Sequence, residues 1–313
     1  MNNRNRHMQY RRSIYRKRKI KTIIISSIVA IVVIFSVFMI AGTILSTKTL
    51  SQNPPDSDDS EPNEEENNIS DAKVIGAYAL PLLEDGSNFS DRLSGIAPNA
   101  SAVCINLNDE DGTLLYRSSL TSKFSNLNIH ADASSLSNSV DNIERDDFYI
   151  SATLYIPSFA EKDELIKEIE LTLWSAVACE AIQEGVGDVL IIAPSLEVSD
   201  VEKICEVANR IHSIASDSVV GLAIPEAILT DKNKTALVNK LSKHFNYLSL
   251  DTTQYKEEES PVEYIEAKVS GMQLELMYYK MRVLLPRAAD AETQQQYIQT
   301  IAKYNINSWQ VLP

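Results

Sequence analysis

The stretch WSAVACEAIQEGVGDVLIIA, residues 174–193, decides the fold. Its first half continues an apolar stripe from upstream, with Leu165, Ile169, Leu173, Val177 and Ala181 at intervals of four. The segment 162–184 therefore reads as a helix with one buried face. Gly185 stops it, because glycine takes the left-handed conformation that closes helix ends at no steric cost. The run 188–193 is then apolar without polar alternation after its first residue, the pattern of a strand covered on both faces in a parallel sheet. Runs of the same character occupy 74–79, 101–107, 148–156, 219–224, 247–250, 282–285 and 308–312. Eight such strands over 73–313 predict an α/β fold, a (β/α)8 TIM-like barrel without a helix after its last strand. Barrel chemistry sits at the carboxyl ends of the strands, which is where functional side chains are to be sought.

The connecting segments fit that reading. Residues 201–214 carry Ile204, Val207 and Ile211 on one face, with Ser199-Asp200 as the capping start. Pro225 opens a short helical turn over 225–229, since its fixed φ suits a first helical position. Longer helices are expected over 261–281 and 291–304. An insertion, 108–147, separates the second and third strands, and a loop of that length is expected to be functional or partly disordered. It begins Asn108-Asp109-Glu110-Asp111-Gly112, whose spacing does not match a calcium-binding loop. A polar turn with Gly112 at positive φ is the simpler expectation.

Upstream of the barrel, residues 1–21 carry nine Lys and Arg and no acid, a basic cytoplasmic tail by the positive-inside rule. Residues 22–45 are uncharged and almost wholly apolar, long enough for a transmembrane helix across roughly 30 Å of hydrocarbon. A cleaved signal peptide has a shorter apolar core and a small-residue cleavage site, which Ala41-Gly42-Thr43 matches poorly. Residues 46–72, rich in Pro, Ser, Asn and acids, form a solvated, self-repelling linker, expected to be disordered. The sequence thus predicts a single-pass cell-membrane protein anchored in the bilayer through 22–45, with its barrel extracytoplasmic.

From residue 73 to 313 there are 19 Lys and Arg against 35 Asp and Glu, a balance that argues against nucleic acid as a partner. Cys104, Cys179 and Cys205 have no CxxC spacing and suit buried, inert thiols. His7, His130, His212 and His244 lack metal-ligand spacing, so neither a metal site nor a cofactor is predicted. No G-x-S-x-G elbow or phosphate-cradling loop is present. Sequons at Asn68, Asn88, Asn99 and Asn233 matter only in a eukaryotic secretory route.

Several segments resemble a bacterial family, the glycoside-hydrolase-like barrels related to α-amylase-type barrels. Ala102-Val103-Cys104-Ile105-Asn106-Leu107-Asn108-Asp109-Glu110-Asp111-Gly112 is similar to the family's second-strand segment A-V-V-I-D-V-K-D-D-D-G. The segment 148–159 resembles its third strand, and 174–193 the helix and strand that lead to Q-F-D-Y-V-R-F-P. Arg282-Val283-Leu284-Leu285-Pro286-Arg287 stands in the place of R-P-W-L-Q-D, and Ser308-Trp309-Gln310-Val311-Leu312 in that of the final G-W-x-L-W. The resemblance implies a glycosidase-type barrel, with departures at its functional positions. Asn106 replaces Asp, Asn108 replaces Lys, Ile192 replaces Asp and Arg287 replaces Asp. Glycoside hydrolysis usually requires two carboxyl groups across the scissile bond, and neither an amide nor an isoleucine supplies one.

Carboxylates remain near the expected active face. Glu226 and Asp251, at the ends of the fifth and sixth strands, form the candidate catalytic pair. Each also has an ordinary explanation, Glu226 as an acid at a helix start and Asp251 as a turn residue. Asp109, Asp111, Tyr255 and Arg287 are candidate ligand-binding residues. Tyr255, Trp174 and Trp309 suit either a sugar-stacking platform or core packing. Two functions are expected to compete: a catalytically inactive barrel binding a cell-envelope glycan or a protein partner, and an active glycoside hydrolase whose carboxylates have relocated. A purely structural, stalk-like role is a third, weaker alternative, since fold alone does not establish function.

Overall fold

A computed structural model of the protein describes residues 75–79, 100–124, 127–144, 148–157, 164–255, 260–272 and 281–312. The basic tail, the proposed membrane span and the linker lie outside the described residues. Among those described, no helix is long and apolar enough to cross a membrane.

All eight predicted strands form, and they close on one another. They are β1 (Gly76–Ala79), β2 (Ala102–Asn106), β5 (Tyr149–Tyr155), β6 (Asp188–Ile192), β7 (Val220–Ala223), β8 (Tyr247–Asp251), β9 (Met281–Leu285) and β10 (Trp309–Val311). The barrel runs β1-β2-β5-β6-β7-β8-β9-β10 and back to β1. Every neighbouring pair is parallel. The remaining strands, β3 (Leu114–Tyr116) and β4 (Ile129–Ser134), make a separate parallel pair.

The runs lack alternation because both strand faces are covered, though by different partners. Val103, Ile105, Val189, Ile191, Leu248, Leu250, Val283 and Leu285 pack in one large core with the helices. The alternate positions face the barrel interior, where Leu190, Ile192, Tyr247, Leu284 and Leu312 form one cluster and Ala77, Ala79, Ala102 and Cys104 another. A barrel of this type is ordinarily filled by branched aliphatics. Here the interior holds an ion pair instead: Arg282 Nη2 donates to Asp188 Oδ2 at 2.9 Å, with the side chains 2% and 0% exposed. Asp188 Oδ1 also accepts from Ser151 Oγ at 2.6 Å, Tyr247 Oη at 3.0 Å and Arg282 Nη1 at 3.1 Å. The guanidinium lies 3.7 Å from the centroid of the Tyr247 ring. Room for that ring comes from Gly221, where a Cβ would stand 2.2 Å from it.

Among the described residues the helices are α1 (Leu136–Glu144), α2 (Glu164–Gln183), α3 (Val201–Ile214), α4 (Glu226–Leu229), α5 (Lys234–Ser242), α6 (Pro261–Gly271) and α7 (Ala291–Ala302). Gly185 ends α2 at φ 108°, with the Val186 amide bonded back to the Ala181 carbonyl, as a glycine-closed helix end requires. Leu173, Val177 and Ala181 are buried as expected, but Leu165 and Ile169 at the other end of the stripe are exposed. A helix of 20 residues spans about 30 Å, whereas a strand of 7 residues covers roughly 23 Å, so the first turns of α2 outrun the sheet.

Four expectations need correction. The helix expected over 261–281 ends at Gly271, and Met281 already belongs to β9. Asp200 stands at the N-cap of α3 without capping it through its side chain, which faces Lys203 and Lys167 at 3.4 and 3.9 Å. Pro225 is the N-cap of α4 rather than its first residue. The insertion is an ordered unit over much of its length, not an irregular loop: β3, a 3-10 turn at Ser119–Ser122, β4 and α1. Leu114, Tyr116, Leu120, Leu136, Val140 and Ile143 join the main core, which is what orders it. Glu180 of α2 fastens it, accepting from Tyr116 Oη at 2.8 Å, Ser118 Oγ at 2.5 Å, the Ser119 amide at 2.8 Å and Ser119 Oγ at 2.6 Å.

Candidate functional site

A cleft of ≈ 420 Å³ opens at the carboxyl ends of β6, β7 and β8. Its apolar lining comes from the strand ends and the segments after them: Ile192, Ala193, Pro194, Ala223, Ile224 and Pro225. The polar lining is Glu226, Asp251, Gln254, Tyr264 and Lys268. The topology brings the two candidate catalytic carboxylates into this one cleft, because β7 and β8 are neighbours and both residues stand at their carboxyl ends.

Each carboxylate is engaged. Glu226 begins α4, where an acid meets the free amides of a first helical turn. Its Oε2 accepts from Lys268 Nζ at 2.5 Å, across from α6. That ammonium also lies 5.6 Å from the centroid of the Tyr264 ring. Burial works to lower the pKa of Lys268, but the hydrogen bond to Glu226 and the field of Tyr264 outweigh it, and the net shift is upward. Lys268 is thus a cation, not a nucleophilic amine. Asp251 closes an Asx turn: its Oδ1 accepts both the Thr253 amide at 2.8 Å and Thr253 Oγ1 at 2.7 Å. Among the described residues, Oδ2 accepts no hydrogen bond.

The four positions where the resemblance implies charged functional groups now have physical occupants. Asn106 Oδ1 accepts from Thr153 Oγ1 of the neighbouring strand at 2.6 Å. Asn108 is buried and extends the pairing of β2 with β5 through its side chain: Nδ2 donates to the Tyr155 carbonyl at 2.7 Å and Oδ1 accepts the Tyr155 amide at 2.8 Å. Only an amide both donates and accepts in this way, so neither lysine nor aspartate fits that bond pair. Ile192 is buried against the cleft. Arg287 Nη2 donates to the Ala79 carbonyl at 2.6 Å, and the guanidinium lies 5.1 Å from the Tyr78 ring centroid, tying the end of β9 to β1.

The remaining candidates separate. Asp109 Oδ1 accepts the Asp111 amide at 3.0 Å and the Thr113 amide at 2.8 Å, closing the acidic turn with Gly112 at φ 86°. Asp111 is exposed on that turn. Trp174 and Trp309 are buried packing residues: Trp174 lies under the Gly112 turn and Trp309 over Gly76. Neither offers a face to a sugar. Tyr255 stands beside the cleft, its ring centroid 6.5 Å from that of Tyr264 at an angle of 52°. Tyr155 at the end of β5 has its phenol pushed up to about 12, by burial first and then by the negative charges of Glu110 and Asp251 together with Cys104. The three cysteines are buried and not disulfide-bonded. Burial pushes the thiol pKa up to about 12 at Cys179 and about 11 at Cys205, and higher still at Cys104. Among the described residues no group of three or more His, Cys, Asp or Glu side chains is arranged to hold a metal ion.

Sequence reasoning passed over Lys268, Tyr264 and Gln254. The signal for the first two was their i,i+4 spacing on the helix that follows β8, which sets both side chains on one face of it. It also passed over the interior pair, although a lone Arg and a lone Asp in otherwise apolar strands imply one another.

Fold and site together define a class, the TIM-type (β/α)8 barrel with its cleft at the carboxyl face. The sequence matches no family model and no curated protein. Similar solved structures include the spore cortex-lytic enzyme SleL of Bacillus cereus, at 7% identity and a TM-score of 0.49, covering 77% of this chain and 71% of that one. D-psicose 3-epimerase of Clostridium cellulolyticum H10 is similar at 12% identity and a TM-score of 0.44, covering 75% and 83% respectively. The α-L-fucosidase AlfC of Lactobacillus casei is similar at 8% identity and a TM-score of 0.41, covering 68% of each chain.

Proposed function

We propose that this protein is a membrane-anchored, extracytoplasmic, glycosidase-like barrel that binds a cell-envelope glycan in its cleft without cleaving it. One observation carries the reading: the cleft has the apolar and polar lining of a ligand site, while the strand-end positions at which the resemblance implies acids hold none and Glu226 is ion-paired. Asn106 and Asn108 are amides spent on neighbouring strands, Ile192 is apolar, and Glu226 accepts the Lys268 ammonium as an ion pair. A general acid for glycoside hydrolysis must be protonated and stand across the bond from its partner. Carbohydrate binding needs only an apolar face, hydrogen-bonding groups and an aromatic ring, which Ile224, Leu229, Gln254, Asp251 and Tyr264 supply. The basic residues of 1–21 and the apolar segment 22–45 support a single bilayer anchor with the barrel outside the cell.

The test uses the full-length chain in a detergent without a sugar headgroup. Equilibrium dialysis against cell-envelope polysaccharides should find saturable binding, and no new reducing ends should form. A second reading, hydrolysis by relocated carboxylates, is favoured by the presence of Glu226 and Asp251 in one cleft. It requires reducing ends whose release stops in Glu226→Gln or Asp251→Asn.

A further inference from the structure

Resting on the carbohydrate reading of the cleft, we infer that its ligand carries a positive charge, the ammonium group of an amino sugar. The charges of the lining lead there. Lys268 is the one cation among the described lining residues, and it is committed to Glu226 at 2.5 Å and to the Tyr264 ring. It offers no charge to an anionic sugar. Among the described lining residues, two carboxylates against one ammonium leave a net negative charge, and the carboxylate without a cation is Asp251. Its Oδ1 is spent on Thr253, while Oδ2 has no hydrogen-bond donor among the described residues. A carboxylate oxygen without a donor, on an aspartate of intermediate exposure, is stabilised by a ligand that brings one, and most strongly by a charged one.

The surroundings act in the same direction. Glu110 reaches the Tyr155 phenol electrostatically together with Asp251, so the mouth of the barrel is negative beyond the lining itself. The ring of Tyr255 stands beside that of Tyr264, which Lys268 already engages, and its own face attracts a cation. The excess of 35 acids over 19 bases from residue 73 to 313 repels polyanions before contact. An ammonium on a sugar ring satisfies Asp251 Oδ2, while the ring's apolar face lies on Ile224, Pro225 and Leu229.

Three tetrasaccharides test this on the full-length chain by titration calorimetry in a detergent without a sugar headgroup: one of glucosamine, one of N-acetylglucosamine and one of galacturonic acid. The glucosamine oligomer is expected to bind about tenfold tighter than its acetylated counterpart, the effect of one charge-assisted hydrogen bond, and the uronic oligomer not at all. Asp251→Asn keeps the acceptor that holds Thr253 and should remove the preference while leaving thermal unfolding in place. Lys268→Gln frees Glu226 and should strengthen the preference, a gain that a purely structural lysine cannot give. Equal or tighter binding of the acetylated or uronic oligomer overturns the inference and leaves the glycan reading standing. If none of the three binds, the glycan reading falls and the inference with it.

Discussion

Replacing Arg282 by methionine removes the cation from a buried network centred on one carboxylate. Asp188 is fully buried; it takes two hydrogen bonds from Arg282 and others from the hydroxyls of Ser151, Tyr247 and Tyr149. Hydroxyl donors alone do not compensate a carboxylate in the middle of a barrel. Breaking such a pair from one side costs about 3–5 kcal/mol, because the partner's charge is left without its counterion. For a domain of this size each kcal/mol moves the midpoint by about 2–4 °C, so Arg282→Met should lower Tm by roughly 6–20 °C. Asp188→Asn should cost a comparable amount, since the new amide nitrogen faces the guanidinium donors. The double variant removes both charges, while the amide oxygen introduced at position 188 still accepts from Ser151 and Tyr247. It should therefore be more stable than the sum of the singles predicts, with a coupling of about 2 kcal/mol or more. Thermal unfolding of the four proteins by near-ultraviolet circular dichroism reads the cycle. Additive losses, or an Arg282→Met midpoint indistinguishable from wild type, refute the reasoning that the interior is held by charge pairing.

Gly221→Ala puts a methyl group into the Tyr247 ring and should cost about 1–3 kcal/mol, read as a lower Tm. Ser249→Ala should raise Tm slightly, because Ser249 Oγ is buried with no hydrogen-bond partner among the described residues and its removal deletes an uncompensated group of about 1 kcal/mol or more. Glu180→Ala releases the four bonds that hold the 3-10 turn of the insertion, so limited proteolysis should cut near Ser119 in the variant and spare the wild type. Burial lowers the pKa of His212, so the fold favours its neutral form; its contribution to stability is present above the unfolded value near 6.5 and declines as the pH falls below it. His212→Asn should accordingly show a shallower loss of Tm than the wild type does as the pH falls from about 7 to about 5.

The barrel was legible because a strand covered on both faces leaves an uninterrupted apolar run, and Asp188–Ile192 and Met281–Leu285 each break theirs with a single charge. Those charges pair across 94 residues, a separation that periodicity does not register. Helix boundaries were least legible where amphipathicity is weak. The helix α5 has only Leu237, Val238 and Leu241 as its apolar face and went unmarked, and α6 was extended over residues that include the first of β9. The insertion misled because length alone suggested an irregular loop, whereas Leu114, Tyr116 and Val140 give it a core shared with the barrel.

The site was legible by position and not by partnership. Asn106, Asn108, Ile192 and Arg287 stand at strand ends as the resemblance implied, and Glu226 and Asp251 line one cleft. What each one bonds lies far away in the chain: Tyr155 for Asn108, Lys268 for Glu226 and Ala79 for Arg287. Such pairings arise because β2 lies beside β5, β7 beside β8, and β10 between β9 and β1. A motif read along the chain has no access to them.

The central claim is binding without turnover. The measurement that tests it most directly is the number of new reducing ends formed per glycan bound when the full-length chain is incubated with cell-envelope polysaccharides. The account predicts saturable binding with a ratio indistinguishable from that of the protein-free control. Turnover that is lost in Glu226→Gln would contradict it and make the cleft the active site of a hydrolase.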